Sequence, residues 1–257
     1  MRLVIVGSTG SMSGPRSAAS CYLVQAEDAG RTYSLVLDMG PGGFGALWRV
    51  CDPHAVDAIA LSHLHIDHCG DLMSMQIFRR WHPGGALSAL DLLAPAGAVE
   101  RMRGLDGFAG MDDDFSGEYR HKVLREGAEF TVGPMTIRAF PVHHTVESYA
   151  LRVEGPGQGG TRVITYSGDT DECDGVVQAA AGADLFLCEC GFTKADTARG
   201  VHLDGQRAAR VARSAGAGRT LLTHIQPWTD AQVPLAEALD EWAGPIELAD
   251  SGAVYEV

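Results

Sequence analysis

The stretch Ser62-His63-Leu64-His65-Ile66-Asp67-His68-Cys69-Gly70 holds three histidines and one aspartate within six residues. It follows the apolar run Val56–Leu61, which predicts a buried strand. Side chains two positions apart on an extended segment point the same way, so the first two histidines face a common point. The aspartate and the third histidine offer a second nitrogen and oxygen pair to a neighbouring point. This arrangement predicts a site for two metal ions, because imidazole and carboxylate suit zinc, manganese or iron.

The composition limits the classes of protein to which the chain can belong. The chain has 257 residues, 46% of them hydrophobic, which predicts one domain over residues 1–257 with a sizeable core. Its 33 acidic and 20 basic side chains give a net charge of -13. Such a surface disfavours binding that depends on many phosphate contacts. A small anionic substrate held at a metal remains compatible with this charge.

The cysteines and the hydropathy pattern bear on location. The six cysteines are scattered and show no Cys-x-x-Cys pair, so we expect reduced thiols rather than a disulfide framework. Cys69, beside the histidine motif, is an alternative metal ligand. No apolar run approaches the roughly 18 residues that a membrane span requires, and no signal peptide is recognisable. We therefore expect a cytoplasmic protein without a membrane partner.

The order of predicted elements is similar in the two halves of the chain. In each half several strands come first, and strand–helix units follow. Asp71 and Asp204 are the predicted N-caps of helices that run to Trp81 and Ala215. This order predicts two β-sheets packed face to face, with helices outside and a site along one edge.

The segment 104–121 is the least regular part of the chain. It contains Phe108, Phe115 and the acidic run Asp112-Asp113-Asp114. Two interpretations stay open for it, namely a lid over the site and a plain surface loop.

Further candidate ligands occur in the second half of the chain. His144, Asp169 and His224 each follow an apolar run of β-type residues. Strand ends in stacked sheets converge on one edge, so widely separated residues can meet there. We therefore expect these three side chains to join the histidine motif in one metal centre.

The motifs resemble those of the metallo-β-lactamase-fold hydrolases, and the resemblance covers essentially the whole chain. Within that family the chain is most similar to the ribonuclease Z-like phosphodiesterases. The motifs that carry this likeness are Gly7-Ser8-Thr9-Gly10-Ser11, Leu37-Asp38-Met39-Gly40, His144-x-x-x-Ser148-Tyr149, Ser167-Gly168-Asp169-Thr170 and Leu222-Thr223-His224-Ile225. The N-terminal half, including Phe78-Arg79-Arg80-Trp81-His82, looks most like the actinobacterial cyclic-nucleotide-degrading phosphodiesterases.

The resemblance implies a fold and a metal content. The implied fold is α/β, a four-layer αββα sandwich of two mixed β-sheets packed face to face with helices outside. The implied cofactors are two Zn2+ ions, with Mn2+ or Fe2+ as alternatives. By motif match, one ion is bound by His63, His65 and His144, the other by Asp67, His68 and His224, and Asp169 bridges them. A water between two such cations becomes hydroxide near neutral pH.

The resemblance also assigns roles to single residues. The spacing to Ser148-Tyr149 selects His144 over His143 as the ligand and leaves His143 as a supporting residue. His202 matches a further family histidine, which would bind a phosphate oxygen or protonate the leaving oxygen. The alternative for His202 is a surface histidine at the start of a helix. Asp67 and His202 are thus the predicted catalytic residues, whereas Asp204 is expected to cap a helix.

The implied activity is hydrolysis of the 3′ phosphoester of a cyclic nucleotide by a metal-bridging hydroxide. One alternative is a transfer RNA 3′-end endonuclease (ribonuclease Z), but the chain lacks a basic Gly/Pro-rich arm and its charge disfavours RNA. A lactonase, a thioesterase or a β-lactamase-type hydrolase is another alternative, and a metal-stabilised scaffold without activity is the last. The resemblance also allows a homodimer.

Overall fold

The computed structural model describes residues 1–107 and 113–257, and its strands alternate with short helices in the order expected from the sequence. The strands are β1 Arg2–Thr9, β2 Ala18–Ala19, β3 Cys21–Asp28, β4 Arg31–Leu37, β5 Ala58–Ala60, β6 Leu90–Ala94, β7 Tyr119–Val123, β8 Glu129–Val132, β9 Met135–Pro141, β10 Tyr149–Gly157, β11 Gly160–Tyr166, β12 Leu185–Glu189, β13 Thr220–Thr223, β14 Ile246–Leu248 and β15 Val254–Glu256. The α-helices are α1 Gly43–Leu47, α2 Ile66–Cys69, α3 Leu72–Arg80, α4 Ala98–Asp106, α5 Asp174–Ala180, α6 Gly205–Ala215 and α7 Gln232–Glu241.

The strands form two mixed sheets with the same internal plan. The first sheet has the order β15-β1-β3-β4-β5-β6-β7, with β2 beside β1, and the second has the order β14-β13-β12-β11-β10-β9-β8. In the first sheet β1, β3 and β4 are antiparallel, and β4 to β7 are parallel. In the second sheet β8 to β11 are antiparallel, and β11 to β14 are parallel. The similarity expected between the two halves is therefore present in the strand pairing.

Three apolar clusters separate the layers of the molecule. The central cluster lies between the two sheets and includes Leu3, Ile5, Leu35, Leu151 and Leu187, all fully buried. Alternate residues of the same strands face outwards, as the period of two in a strand requires. A second cluster joins the first sheet to α1, α3 and α4, and a third joins the second sheet to α5, α6 and α7. The expected four-layer αββα sandwich is therefore confirmed.

The structure corrects several local predictions. Asp71 occupies the N-cap position of α3 but makes no side-chain capping bond, because its carboxylate accepts a hydrogen bond from the Phe44 backbone N–H at 3.0 Å instead. Asp204 does cap α6, since its side chain accepts from Arg207 N at 2.8 Å. The predicted strand Val56–Leu61 shortens to β5.

Several elements were not predicted from the sequence, among them α2, α5 and β7. Helix α5 has no side-chain cap, and its N-cap residue is Cys173, so it lacks the usual start signal. Strand β7 reads Tyr-Arg-His-Lys-Val and lies at the open edge of the first sheet, where polar side chains face solvent.

The carboxyl ends of the parallel strands meet along one edge of the sandwich. The ends of β5, β11 and β13 lie there, and β9 joins them because it runs parallel to β11, two strands away. In open α/β sheets ligands bind outside these strand ends. Among the helices in the described residues, none has the length and apolar composition that crossing a membrane requires.

Candidate metal centre

The seven predicted ligands all lie at this edge of the sandwich. His63 and His65 follow β5, and Asp67 and His68 lie on the one-turn helix α2. The other three follow β9, β11 and β13 and are His144, Asp169 and His224. Their ligand atoms form two groups, each with all atoms within 4.8 Å of one another.

The first group consists of His63, His65, His144 and Asp169. Nδ1 of His65 lies 3.1 Å from Nε2 of His63 and 3.2 Å from Nε2 of His144. Oδ2 of Asp169 lies 3.7 Å from Nε2 of His63 and 4.0 Å from Nε2 of His144. His65 and His144 are partly exposed residues, whereas His63 and Asp169 are buried.

The second group consists of Asp67, His68, Asp169 and His224, all of them buried. Nε2 of His68 and Nε2 of His224 are 3.2 Å apart, and Oδ2 of Asp67 lies 3.2 Å from Nε2 of His224. Oδ2 of Asp169 lies 3.3 Å from His68 and 3.4 Å from His224. The same carboxylate oxygen of Asp169 therefore belongs to both groups.

The residues fit a pair of metal ions. Ligand atoms bound about 2.0 Å from one tetrahedral metal lie roughly 3.3 Å apart, which matches the shortest separations in both groups. A shared cation would accept the lone pairs of all these ring nitrogens at once, whereas one N–H can bond to only one of its neighbours. Oδ1 of Asp169 is buried and has no hydrogen-bond partner among the described residues, so it is free for a ligand.

The protonation of the ligands also suits a metal. Burial, together with the neighbouring imidazoles, lowers the pKa of His63, His65 and His144, so these rings are neutral near pH 7. Burial alone would raise the pKa of Asp169, but the surrounding histidines, His224 first, hold it well below its usual value. These four residues therefore already have the protonation states that metal binding requires. His68 differs, because burial lowers its pKa but Asp169 and Asp38 raise it well above its usual value, so this ring must lose a proton when a metal binds.

Asp38 supports the second group, and the sequence reasoning gave it no role. This fully buried carboxylate receives four hydrogen bonds, from Ser62 N and Oγ at 2.7 Å each, from the Tyr166 hydroxyl at 2.8 Å and from His68 Nδ1 at 2.7 Å. The last bond fixes the His68 tautomer and leaves Nε2 for a metal. The signal in the sequence is an aspartate directly after the apolar strand β4.

Glu189 is a second residue that the sequence reasoning missed. It ends β12 opposite Thr223 of β13, and it is fully buried. Its carboxylate accepts from the backbone N–H groups of Thr170 at 2.9 Å and Gly191 at 2.8 Å and lies 3.1 Å from Nδ1 of His202. Burial alone would lower the pKa of His202, but Glu189 raises it to about 9. His202 is therefore a protonated side chain at neutral pH.

The remaining candidates lie outside the two groups. Cys69 is buried with Sγ 3.6 Å from the Leu64 carbonyl oxygen and belongs to neither group. His143 points to Gly200, because a Cβ atom added at that glycine would be 3.1 Å from its Nε2. His202 lies beside the second group, with Nδ1 3.9 Å from Asp169 Oδ2. This position favours the functional interpretation of His202 over a surface histidine.

Part of the segment 104–121 belongs to the outer helical layer. Asp113 pairs with Arg80 of α3 at 2.7 Å, and Phe115 is buried in the second apolar cluster. The described part of the segment therefore contains the end of α4, a turn with the buried Phe115 and the start of β7, and it does not test either interpretation of the segment. The rest of the predicted lid, including Phe108 and Asp112, lies outside the described residues.

Comparison with known proteins gives consistent findings. The family model described as a β-lactamase superfamily domain matches residues 34–225. A protein of Mycobacterium leprae named as uncharacterised is 39% identical, over 100% of this chain and 89% of the relative. The probable metallo-hydrolase YhfI of Bacillus subtilis is 27% identical over the full length of both chains. A ribonuclease Z of Myxococcus xanthus is 31% identical over 87% of this chain and 88% of its own.

Solved structures repeat this pattern. The metallo-β-lactamase-fold protein YhfI of Bacillus subtilis superimposes with a TM-score of 0.84 and 26% identity over 99% of both chains. The short form of human tRNase Z superimposes with a TM-score of 0.74 and 20% identity, covering 100% of this chain and 99% of its own. Yeast PDE1 superimposes with a TM-score of 0.73 and 12% identity, covering 100% of this chain and 99% of its own. At identities this low, the last two show the fold alone.

Proposed function

Because the chain belongs to the β-lactamase superfamily, as a ribonuclease Z-like hydrolase of the metallo-β-lactamase fold, we propose that it is a phosphodiesterase that works with two divalent metal ions. Zn2+ is the proposed ion, since imidazole-rich sites with a few carboxylates suit it, and Mn2+ and Fe2+ are alternatives. The proposed substrate is a cyclic nucleotide, hydrolysed at its 3′ phosphoester.

One observation carries the proposal. The two ligand groups share Oδ2 of Asp169, and the protonated His202 lies directly beside them. Two divalent cations in these groups would neutralise phosphate oxygens and lower the pKa of a water molecule. A phosphodiester needs such charge neutralisation together with a proton for its leaving oxygen, and both requirements meet at this edge.

The side chains take distinct roles in this proposal. His63, His65, His68, His144 and His224 hold the ions together with the two aspartates. Asp67 belongs to the second group and would orient the reacting groups there. His202 has Nδ1 directed at Glu189, so Nε2 carries the available proton. The attacking water adds to phosphorus through its oxygen and loses one proton to solvent. The bond to O3′ breaks, the departing oxygen takes the proton of His202, and solvent then reprotonates His202.

A cavity of about 470 Å³ is lined by Thr223 and Ile225, the sequence neighbours of His224, and by Arg16 and Asp250 from neighbouring loops. The seven candidate ligands and His202 are not among its lining residues, so no part of the substrate is assigned to this cavity. The proposed cyclic nucleotide is a small anion. The net charge of -13 disfavours a large polyanion but permits this small one.

The second candidate function is processing of transfer RNA 3′ ends. The ribonuclease Z of Myxococcus xanthus favours it, since 87% of this chain aligns with that enzyme. The acidic surface argues against it, because RNA binding relies on basic side chains that neutralise phosphates.

A hydrolysis panel tests the proposal. The metal-loaded protein is assayed on cyclic AMP, cyclic GMP, bis(4-nitrophenyl) phosphate, precursor transfer RNA and a β-lactam. We expect turnover of the cyclic nucleotides, and Asp169→Ala to reduce it by at least about a hundredfold. The matched control is Asp240→Ala, which removes an exposed aspartate from α7 and leaves the rate unchanged. Activity on the lactam alone, or on precursor transfer RNA with tight salt-sensitive binding, contradicts the proposal.

A further inference from the structure

A loop between β12 and α6 serves two parts of the site at once. The backbone carbonyl of Val201 accepts a hydrogen bond from His144 Nδ1 at 2.7 Å, which leaves Nε2 of His144 for the first ligand group. The next residue is His202, whose Nδ1 faces Glu189. Two consecutive residues of the loop therefore place a candidate metal ligand and the candidate acid.

The loop itself has little apolar support. Phe192 N donates to Leu203 O at 2.9 Å and closes its base, whereas Lys194 to Arg199 are exposed. Farther out, Lys194 N donates to the carboxylate of Glu237 at 3.0 Å. Loops of this kind keep their shape through a few polar contacts, so those contacts decide where Val201 and His202 lie.

The inner contact of the loop is a buried charge cluster. Oδ2 of Asp171 accepts from Gly200 N at 2.7 Å, and its Oδ1 accepts from Arg207 Nη1 of α6. Nε of Arg207 donates to Asp204 at 2.9 Å. All three charged residues are buried. One guanidinium thus joins the start of α6 to the segment after β11 and, through Asp171, to the loop.

His143 completes this contact. Asp171 N donates to His143 O at 2.8 Å, and the His143 ring packs on Gly200. Gly200 has a φ of 74°, a conformation that side chains rarely adopt. The segment that carries His144 and the segment that carries His202 are therefore held against the same aspartate.

We propose that Arg207 and Asp171 are positioning residues that couple the first metal group to His202 through Gly200. This inference rests on the proposed function for the role of His202, but the coupling itself concerns metal binding and loop order. Coupling between two parts of a protein is reciprocal. A metal in the first group therefore orders the loop, and the loop strengthens binding of that metal.

Three variants and one control test the coupling. Arg207→Met removes the charge and keeps much of the side-chain length, Arg207→Lys keeps the charge, and Asp171→Asn weakens the bonds to Arg207 and Gly200. The control is Arg210→Met, one turn further along α6, where the arginine pairs with Glu172 at the surface at 2.8 Å.

The first measurement is tryptic cleavage after Lys194 and Arg199, followed by mass spectrometry with and without Zn2+. In the wild type and in Arg210→Met we expect Zn2+ to slow cleavage. In Arg207→Met and Asp171→Asn we expect cleavage to be about tenfold faster and no longer sensitive to Zn2+. Arg207→Lys should restore part of the protection.

The second measurement is calorimetric titration of the metal-free protein with Zn2+. We expect Arg207→Met to weaken one of two binding events by about tenfold, as loss of a supporting partner does, and to leave the other unchanged. Equal weakening of both events, or no change in either measurement for correctly folded variants, overturns the proposal. If Arg207→Met does not fold, the same two measurements on Asp171→Asn decide whether the proposal holds. Neither measurement depends on phosphodiesterase activity, so failure of the hydrolysis panel leaves this test intact.

Discussion

The two ligand groups differ in what supports them. The second group rests on the sheets, because Asp38 ties His68 to Ser62 and Tyr166 in the fully buried interior. The first group rests partly on a surface loop, because the carbonyl of Val201 orients His144. The second group also has two carboxylates, Asp67 and Asp169, whereas the first has only the shared one. We infer that the second group is held rigidly by the sheets and that the position of the first is adjustable, because it depends on the loop.

The largest expected effect tests whether the loop side supplies the acid. His202→Ala should lower kcat for cyclic AMP by about a hundredfold, because the poor leaving group O3′ needs a proton. For bis(4-nitrophenyl) phosphate, whose leaving group is a stable anion, the loss should stay below about tenfold. Metal content measured by emission spectroscopy should be unchanged. Equal losses on both substrates would show that His202 is not the acid.

The next prediction concerns the rigid side. Asp38→Ala leaves the donors on Ser62, Tyr166 and His68 buried without an acceptor, so the free energy of unfolding should fall by about 3 kcal/mol. Zn2+ affinity in the second group should fall by tenfold to a hundredfold.

Asp38→Asn is the matched control. It keeps the shape and a single acceptor oxygen, and asparagine tolerates the φ of 54° at this position. Thermal denaturation and calorimetry should therefore place it between the wild type and Asp38→Ala. If Asp38→Ala weakens the first group instead, the comparison between a rigid and an adjustable group is wrong.

Stepwise metal removal compares the groups directly. Dialysis of the two-zinc protein against increasing chelator should remove one ion at a chelator concentration about tenfold below that which removes the other. The less buried His65 and the single carboxylate predict that the first group empties first. His65→Ala should abolish the early step and keep the late one. Simultaneous loss of both ions in the wild type would contradict the prediction.

The smallest effect is a shift in pH dependence. Glu189 raises the pKa of His202 to about 9 against the opposing effect of burial, so the protonated ring persists below that pH and is lost above it. Cations bound at the two groups would lower this pKa, because a nearby positive charge favours the neutral ring. An acid must be protonated, so kcat should fall as the pH rises through the pKa that His202 has in the metal-loaded protein. Glu189→Gln should move the alkaline limb of the profile for cyclic AMP to lower pH, with little change near pH 6. If the alkaline limb does not move, Glu189 does not set the pKa of His202.

The clustering of the candidate ligands was predictable because their signals are local. His63, His65, Asp67 and His68 follow one apolar strand within six residues, and a period-two pattern already gives their direction. Asp169 and His224 also end apolar strands. The four-layer fold followed from the order of strands and helices.

The supporting residues were not predictable, because their partners are distant in sequence. Glu189 lies between two buried cysteines in an apolar strand, and only its contact with His202 shows its role. Asp171 and Arg207 are 36 residues apart, and nothing in either neighbourhood indicates that they meet. For Asp71 the local signal was misleading. The sequence predicted a helix cap, but the side chain accepts a hydrogen bond from the distant Phe44 N–H instead.

Because both groups share one carboxylate oxygen, mutations at Asp169 differ in effect from mutations elsewhere in the centre. A single nucleotide change that replaces Asp169 would remove a shared side chain from both ligand groups at once, so no such variant would keep one group complete. Substitution of Asp169 therefore changes both groups in one step. Substitutions that tune the protein gradually must fall elsewhere, on the loop around Gly200 and Val201, where each change alters one side of the centre.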